Sequence, residues 1–142
     1  MFYYTNHIMT SSKLNLRNPP KFLKILGAEG YDFDEANQCI SMTFNVSDEL
    51  THSDGAIVQG GFITAMLDTS MAHLLIFKTN GEYNPLTLNI NVTFLSPGAP
   101  GKFVASARIE KMGKSISFTS AQLHQEDVLI ATASATNKFL KL

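Results

Sequence analysis

The chain has 142 residues and a formal net charge of −1, from 11 Lys and Arg against 12 Asp and Glu. That length allows one domain with its own hydrophobic core, and a balanced charge with no dense Lys/Arg stripe leaves nucleic acid without an electrostatic footprint. Charged residues make up only 16% of the chain and hydrophobic residues 44%, a balance that points to a homo-oligomer with a large apolar interface. The single cysteine, Cys39, excludes an intrachain disulfide and any Cys/His zinc spacing, so no metal site is expected. The N-terminus, Met-Phe-Tyr-Tyr-Thr-Asn-His, lacks a basic region followed by an apolar stretch and is not a signal peptide. The expectation is a soluble, cytoplasmic protein.

Residues 1–15 are polar and unpatterned, a flexible tail ahead of a single domain over residues 16–142. Pro19 and Pro20 open a short apolar-periodic helix, Lys-Phe-Leu-Lys-Ile-Leu, closed by Gly27, in keeping with proline at helix starts and glycine past helix ends. From Tyr31 the pattern turns strand-like, with Ile40, Met42, Phe44 and Val46 alternating with polar residues. Cys39 lies in this stretch and is expected to be a buried, inert thiol. A polar loop spans Asp48 to Gly55. A long helix follows from about Gly60 to Thr79, stopped by Asn80-Gly81. Leu86, Leu88, Ile90, Val92 and Phe94 then alternate with Thr87, Asn89, Asn91 and Thr93, the most regular period of two in the chain. Ser-Pro-Gly-Ala-Pro-Gly ends that strand. A strand over about Lys102 to Lys111 puts Phe103, Ala105, Ala107 and Ile109 on one face. Met112-Gly113-Lys114 turns the chain into an alternating strand from Ile116. Glu126-Asp127 turns it again into a last strand from Val128 to Phe139, rich in small residues such as Ala131, Ala133 and Ala135. Consecutive strands with short turns pair antiparallel. The order predicts an α+β arrangement, one antiparallel sheet with a long apolar helix packed on one face.

That helix carries the central observation. Asp68 is the only charged residue between Gly55 and Lys78, in a helix apolar almost all the way round, which belongs in a core. The run from Ala56 to Phe77 is long enough to raise the question of a membrane span, but the Gly-Gly pair, Gln59, Asp68 and His73 argue against a lipid-facing helix. A buried carboxylate costs several kcal/mol unless it is paired, hydrogen-bonded or protonated. Asp68 is therefore either tied by a structural hydrogen bond or a reactive group in a cleft.

The run Gly55-Ala56-Ile57-Val58-Gln59-Gly60-Gly61-Phe62-Ile63-Thr64-Ala65-Met66-Leu67-Asp68 resembles the signature of hotdog-fold acyl-CoA thioesterases of the PaaI-like, phenylacetate-type group (4-hydroxybenzoyl-CoA thioesterase superfamily). In that family a Gly-Gly pair opens the central helix and a Leu-Asp or similar pair lies about two turns further in. Thr87-Leu88-Asn89-Ile90-Asn91-Val92-Thr93-Phe94-Leu95-Ser96-Pro97 and Lys111-Met112-Gly113-Lys114-Ser115 match later elements, so the resemblance runs from about Tyr31 to the C-terminus. It implies a hotdog fold, a curved antiparallel sheet wrapped around the long central helix, with the short N-terminal helix ahead of it. It also implies a homodimer or dimer of dimers with active sites at the subunit interface, an acyl-CoA substrate, and no cofactor, since CoA is part of the substrate. No membrane or nucleic-acid partner is implied.

Carried over by the resemblance, Asp68 is the catalytic carboxylate, general base or nucleophile on the thioester carbonyl. Gly60 and Gly61 would offer backbone N–H groups at the helix N-terminus as an oxyanion site, where free donors and the helix dipole favour negative charge. Thr87 matches a Ser/Thr position near the carboxylate. Lys111, Gly113, Lys114 and Ser115 match a turn that contacts CoA. Phe94, with Phe62, Met66 and Met71, lines either an acyl pocket or the core. Many relatives carry His before the Gly-Gly pair; here Gln59 stands there, as in one branch of the family, and it can hydrogen-bond a carbonyl but cannot transfer a proton at neutral pH. Ser53 stands where relatives often have Asn, and is given no catalytic role. Each assignment has a plain counterpart: tight packing for the glycines, β propensity for Thr87, a solvated turn for Lys111 and Lys114. His73 follows Asp68 by five residues, off the spacing that shares a helix face, and is expected to be a satisfied core or interface histidine. The rival readings are a non-catalytic acyl-CoA-binding module and an acyl dehydratase on the same fold; the second usually needs a His with a carboxylate, which Gln59 disfavours.

Overall fold

The computed structural model describes residues 19–141, so the tail expected over residues 1–15 lies outside the described part. Helix α1 (Lys21–Ile25) starts directly after Pro20. Gly27 then leaves the helix with φ +73°, and a Cβ there would stand 1.9 Å from the Asn45 carbonyl oxygen. Backbone conformation and close approach thus both demand glycine. Strands β1 (Ala28–Asp34) and β2 (Cys39–Val46) form a hairpin. At its turn both Asp34 carboxylate oxygens accept from Asn37, from the backbone N–H at 3.0 Å and from Nδ2 at 2.7 Å, an Asx turn. The alternating Ile40, Met42, Phe44 and Val46 are all buried, as their period predicts; Cys39 is half-buried.

The polar loop after β2 contains more order than its composition indicates. Two short strands, β3 (Thr51–His52) and β4 (Ile57–Val58), pair as a separate small hairpin. It delivers the chain to α2 (Gly60–Lys78), whose 19 residues are capped at the C-terminal end by Thr79, before Asn80 (φ +50°) and Gly81 (φ +70°). Four strands follow: β5 (Tyr83–Phe94), β6 (Gly101–Met112), β7 (Ile116–Gln125) and β8 (Val128–Lys141). Six strands make one antiparallel sheet in the order β1-β2-β6-β7-β8-β5. Helix α2 packs on the face of β6, β5, β7, β2 and β8. Met66, Leu67, Met71 and Leu74 meet Phe44, Phe103, Ala105 and Leu123 in the core, each large side chain contributing about 1.5–3 kcal/mol by burial. Although α2 is long and apolar enough to cross a membrane, its apolar side chains are largely buried against the sheet.

Two expectations about the strands are corrected. Strands β6, β7 and β8 are successive hairpins, but β5 and β6 do not pair; β5 lies at the sheet edge beside β8, and β6 lies beside β2. The Ser96–Gly101 connection, which contains Pro97 and Pro100, does not close a hairpin. It is held instead by the Leu95 N–H donating to the Ile130 carbonyl at 2.8 Å and by the Val58 N–H donating to the Gly98 carbonyl at 2.8 Å. The second correction concerns β5, whose uninterrupted alternation breaks at a bulge between Thr87 and Asn89. The extra residue switches the phase. Thr87 faces the helix before it, and Ile90 and Val92 pack on the core after it, while Leu86 and Leu88 are 49% and 54% exposed.

Candidate active site

Helix α2 begins on a firmly held backbone. The Gln59 N–H donates to the Leu50 carbonyl at 2.9 Å, and the Gln59 carbonyl accepts from Phe62 and Ile63. The Gln59 side chain caps the helix, its Oε1 accepting the Gly61 N–H at 2.6 Å. The Gly61 donor is thereby occupied, so the pair of glycine donors expected at this helix start narrows to Gly60. The Gly60 N–H has no partner among the described residues, as the first turn of a helix leaves its donors free. A Cβ at Gly60 would meet the Phe94 ring at 3.2 Å, so the open N–H lies beside an aromatic side chain that is itself 54% exposed. With Oε1 turned into the cap, the two N–H bonds of Gln59 Nε2 remain as further donors.

Two turns along, Asp68 is half-buried. Its Oδ1 accepts from Thr87 Oγ1 at 2.7 Å, and Oδ2 has no partner among the described residues. The bulge in β5 is what aims Thr87 at the helix. Thr87 thus touches the carboxylate itself.

The Lys111, Gly113, Lys114 and Ser115 segment forms the β6–β7 turn. The Gly113 N–H donates to the Ile116 carbonyl at 2.8 Å, and the Ser115 carbonyl accepts from the Phe139 N–H at 2.9 Å. Both lysines are exposed and neither forms an ion pair among the described residues. Met112, Ser117, Asn137 and Thr87 are successive partners across β6, β7, β8 and β5. The turn therefore opens at the same end of the sheet as Thr87, with Ser117 about 10 Å from Thr87 at two strand spacings.

Other candidates lie elsewhere. Met66 and Met71 are wholly buried core residues, while Phe62 is half-buried. His73 is buried, with Nδ1 donating to the Thr69 carbonyl at 2.8 Å and its ring beside Phe77; burial holds its pKa below the ordinary imidazole value. Ser53 sits in a left-handed turn with Oγ 2.8 Å from His52 Nδ1. Reading the sequence missed Asn137, a wholly buried amide 3.4 Å from Thr87 Oγ1. Its signal was available: it continues the inward phase of Ala131, Ala133 and Ala135, where an amide is out of place.

Known proteins share this fold and family. A family model described as "Thioesterase superfamily" matches residues 55–132, from the small hairpin through α2 into β8. The medium/long-chain acyl-CoA thioesterase YigI of Salmonella typhimurium is 26% identical over 95 residues, covering 57% of this chain and 61% of that protein. Matches to curated relatives span just under two thirds of their length, 61–66%. A phenylacetic acid degradation-related protein from Ralstonia eutropha superposes with a TM-score of 0.81 at 28% identity, covering 87% of this chain and 92% of that one. A Streptococcus mutans protein solved bound to acetyl CoA shares the fold, with a TM-score of 0.67 at 18% identity over 78% of this chain and 86% of that one. The motif from Gly55 to Asp68, the six-stranded sheet wrapped on one long helix and a family match over more than half of the chain together make this protein a member of the thioesterase superfamily.

Proposed function

We propose that this protein hydrolyses acyl-CoA thioesters to a free acid and CoA, with Asp68 as general base. The observation that carries the reading is the Asp68 carboxylate, anchored through Oδ1 to Thr87, with Oδ2 unpartnered among the described residues, on the helix whose Gly60 N–H is likewise open among them. Oδ2 takes a proton from water as the water oxygen bonds to the thioester carbonyl carbon. The carbonyl oxygen gains the charge and is held by the Gly60 N–H, with Gln59 Nε2 as second donor. Collapse breaks the C–S bond, and the CoA thiolate recovers the proton from Asp68. In the nucleophilic variant Asp68 attacks first and water cleaves the resulting anhydride. YigI's name and the acetyl CoA complex of the Streptococcus mutans relative support an acyl-CoA substrate.

A second copy completes the site in this reading. Gly60 and Asp68 are eight positions apart on one helix, a rise of about 12 Å. Hydrogen-bond contacts of about 3 Å each cannot bring both to one thioester. Two copies with α2 helices side by side and opposed put Gly60 of the partner subunit against Asp68. The edge strand β5, with Leu86 and Leu88 exposed, offers the surface for that pairing. The Lys111 and Lys114 ammonium groups then meet the CoA phosphates.

The test is release of CoA thiol from short, medium, long and aryl acyl-CoAs by wild type and Asp68→Asn. Loss of turnover in a folded variant supports the reading. Bound acyl-CoA without turnover by wild type would replace it with a binding module. A single turnover in ¹⁸O-water tests the nucleophilic variant: label in Asp68 marks an anhydride opened at the Asp68 carboxyl carbon.

A further inference from the structure

The inner face of the sheet is apolar except beneath Asp68. There Thr87, Asn137 and Ser117 are cross-strand partners in one row, with Thr119 two residues along β7 on the same face. Asn137 and Ser117 are 0% exposed and Thr119 is 1% exposed. Asn137 Oδ1 lies 3.4 Å from Thr87 Oγ1 on one side, and its Nδ2 lies 3.1 Å from Thr119 Oγ1 on the other. The Ser117 hydroxyl has no hydrogen-bond partner among the described residues.

Counting hydrogens decides how this row works. Thr87 has one hydroxyl hydrogen, and an ionised Asp68 is acceptor only. The 2.7 Å contact to Asp68 takes that hydrogen in a charge-assisted bond. Nothing is left for Thr87 to donate to Asn137, and an amide oxygen facing the Thr87 oxygen would set two acceptors against each other. The amide nitrogen must face Thr87, and a turn of the amide about its last bond, which exchanges two atoms of nearly equal size, puts it there. Oδ1 then accepts from the Thr119 hydroxyl. Every bond in the row now points one way: Thr119 to Asn137, Asn137 to Thr87, Thr87 to Asp68. Such chains polarise one another in a low-dielectric interior.

We infer that Asn137, backed by Thr119, is a positioning residue for the reaction, fixing Thr87 as a donor and through it holding the Asp68 carboxylate oriented with Oδ2 free. The inference rests on Asp68 being the catalytic base. The sheet needs no amide here for packing: Ala131, Ala133 and Ala135 serve the same inward stripe, and a buried amide costs stability unless both ends are bonded.

The experiment compares kcat and KM for wild type, Asn137→Leu, Thr119→Val and Asp68→Asn, using thiol release from the best acyl-CoA of the panel. Asn137→Leu is expected to lower kcat about tenfold, the scale of one hydrogen bond serving a charged group, with KM little changed. Thr119→Val, nearly isosteric, should lower kcat by less with KM again little changed, and carries the test alone if Asn137→Leu does not fold. A melting temperature that falls while kcat stays at wild type, in whichever of these variants folds, overturns the inference. Should Asp68→Asn itself keep wild-type turnover, the function proposed above fails instead, a distinguishable result.

Discussion

The side chain of Gln59 bends back over the start of α2 and takes the Gly61 N–H at 2.6 Å. The residue thus caps with its oxygen and presents its nitrogen. The two roles separate in one substitution. Gln59→Glu keeps the capping oxygen and adds negative charge at a helix N-terminus, worth about 0.3–1 kcal/mol of added stability. It also replaces the Nε2 donor with a carboxylate oxygen beside the developing oxyanion. The expected outcome is an unchanged or higher melting temperature with kcat reduced about 100-fold, the lower end of the loss for an oxyanion donor. Equal activity in Gln59→Glu would leave Gln59 as a cap and nothing more.

The turn from Lys111 to Ser115 makes a different prediction. Its lysines are solvent-exposed and free of ion pairs among the described residues, so their loss should scarcely affect the fold. Lys111→Ala with Lys114→Ala is expected to raise KM for an acyl-CoA about three- to tenfold and leave kcat within about twofold, as for exposed charges acting on a ligand's phosphates. The wild-type KM should also rise with salt, and the double variant's should rise less. A salt dependence identical in both proteins would remove these lysines from the CoA site.

Edge strand β5 predicts an oligomer that can be broken. Leu86 and Leu88 stand about half exposed, at 49% and 54%, on a 12-residue strand with no neighbour on its outer side among the described residues. A long apolar edge is a liability that proteins cover. Leu86→Lys with Leu88→Lys should shift the mass measured by light scattering toward that of one chain. Activity should fall with it, since a single chain cannot bring Gly60 and Asp68 to one substrate. An undiminished mass would place the subunit contact elsewhere.

The legibility of this chain follows from where local rules suffice. The α2 boundaries came from a glycine start and an Asn-Gly stop, and the core faces of β2 and β6 came from a period of two. Those signals are local and unopposed. Strand β5 looked the most regular and was misjudged, because a bulge leaves no mark on hydrophobic alternation; only the contact between Thr87 and Asp68, 19 positions apart, explains why the phase must change. The placement of β5 beside β8 was hidden for a similar reason, as the Ser-Pro-Gly-Ala-Pro-Gly connection reads like an ordinary turn whether or not the strands it joins are paired. The Asp68 motif was visible because a lone charge in an apolar helix is conspicuous. Asn137 was overlooked, although it breaks the apolar pattern of its own strand in the same manner.

His73 gives the fold a pH dependence whose sign can be worked out. In the unfolded chain its imidazole takes a proton near pH 6.5. In the folded chain burial holds the pKa below that value, against a smaller opposing effect of the hydrogen bond to the Thr69 carbonyl. Between the two values the unfolded state binds more protons, so stability rises with pH there. The contribution is therefore whole above about pH 6.5 and is lost as pH falls toward the folded pKa, at up to about 1.4 kcal/mol per pH unit. Urea midpoints measured from pH 7.5 to 5 should fall in wild type, and the fall should flatten in His73→Leu, which keeps the bulk beside Phe77 and removes the titrating ring. Parallel curves for the two proteins would mean that the imidazole takes up its proton inside the fold without penalty, and that the acid sensitivity belongs to the carboxylates.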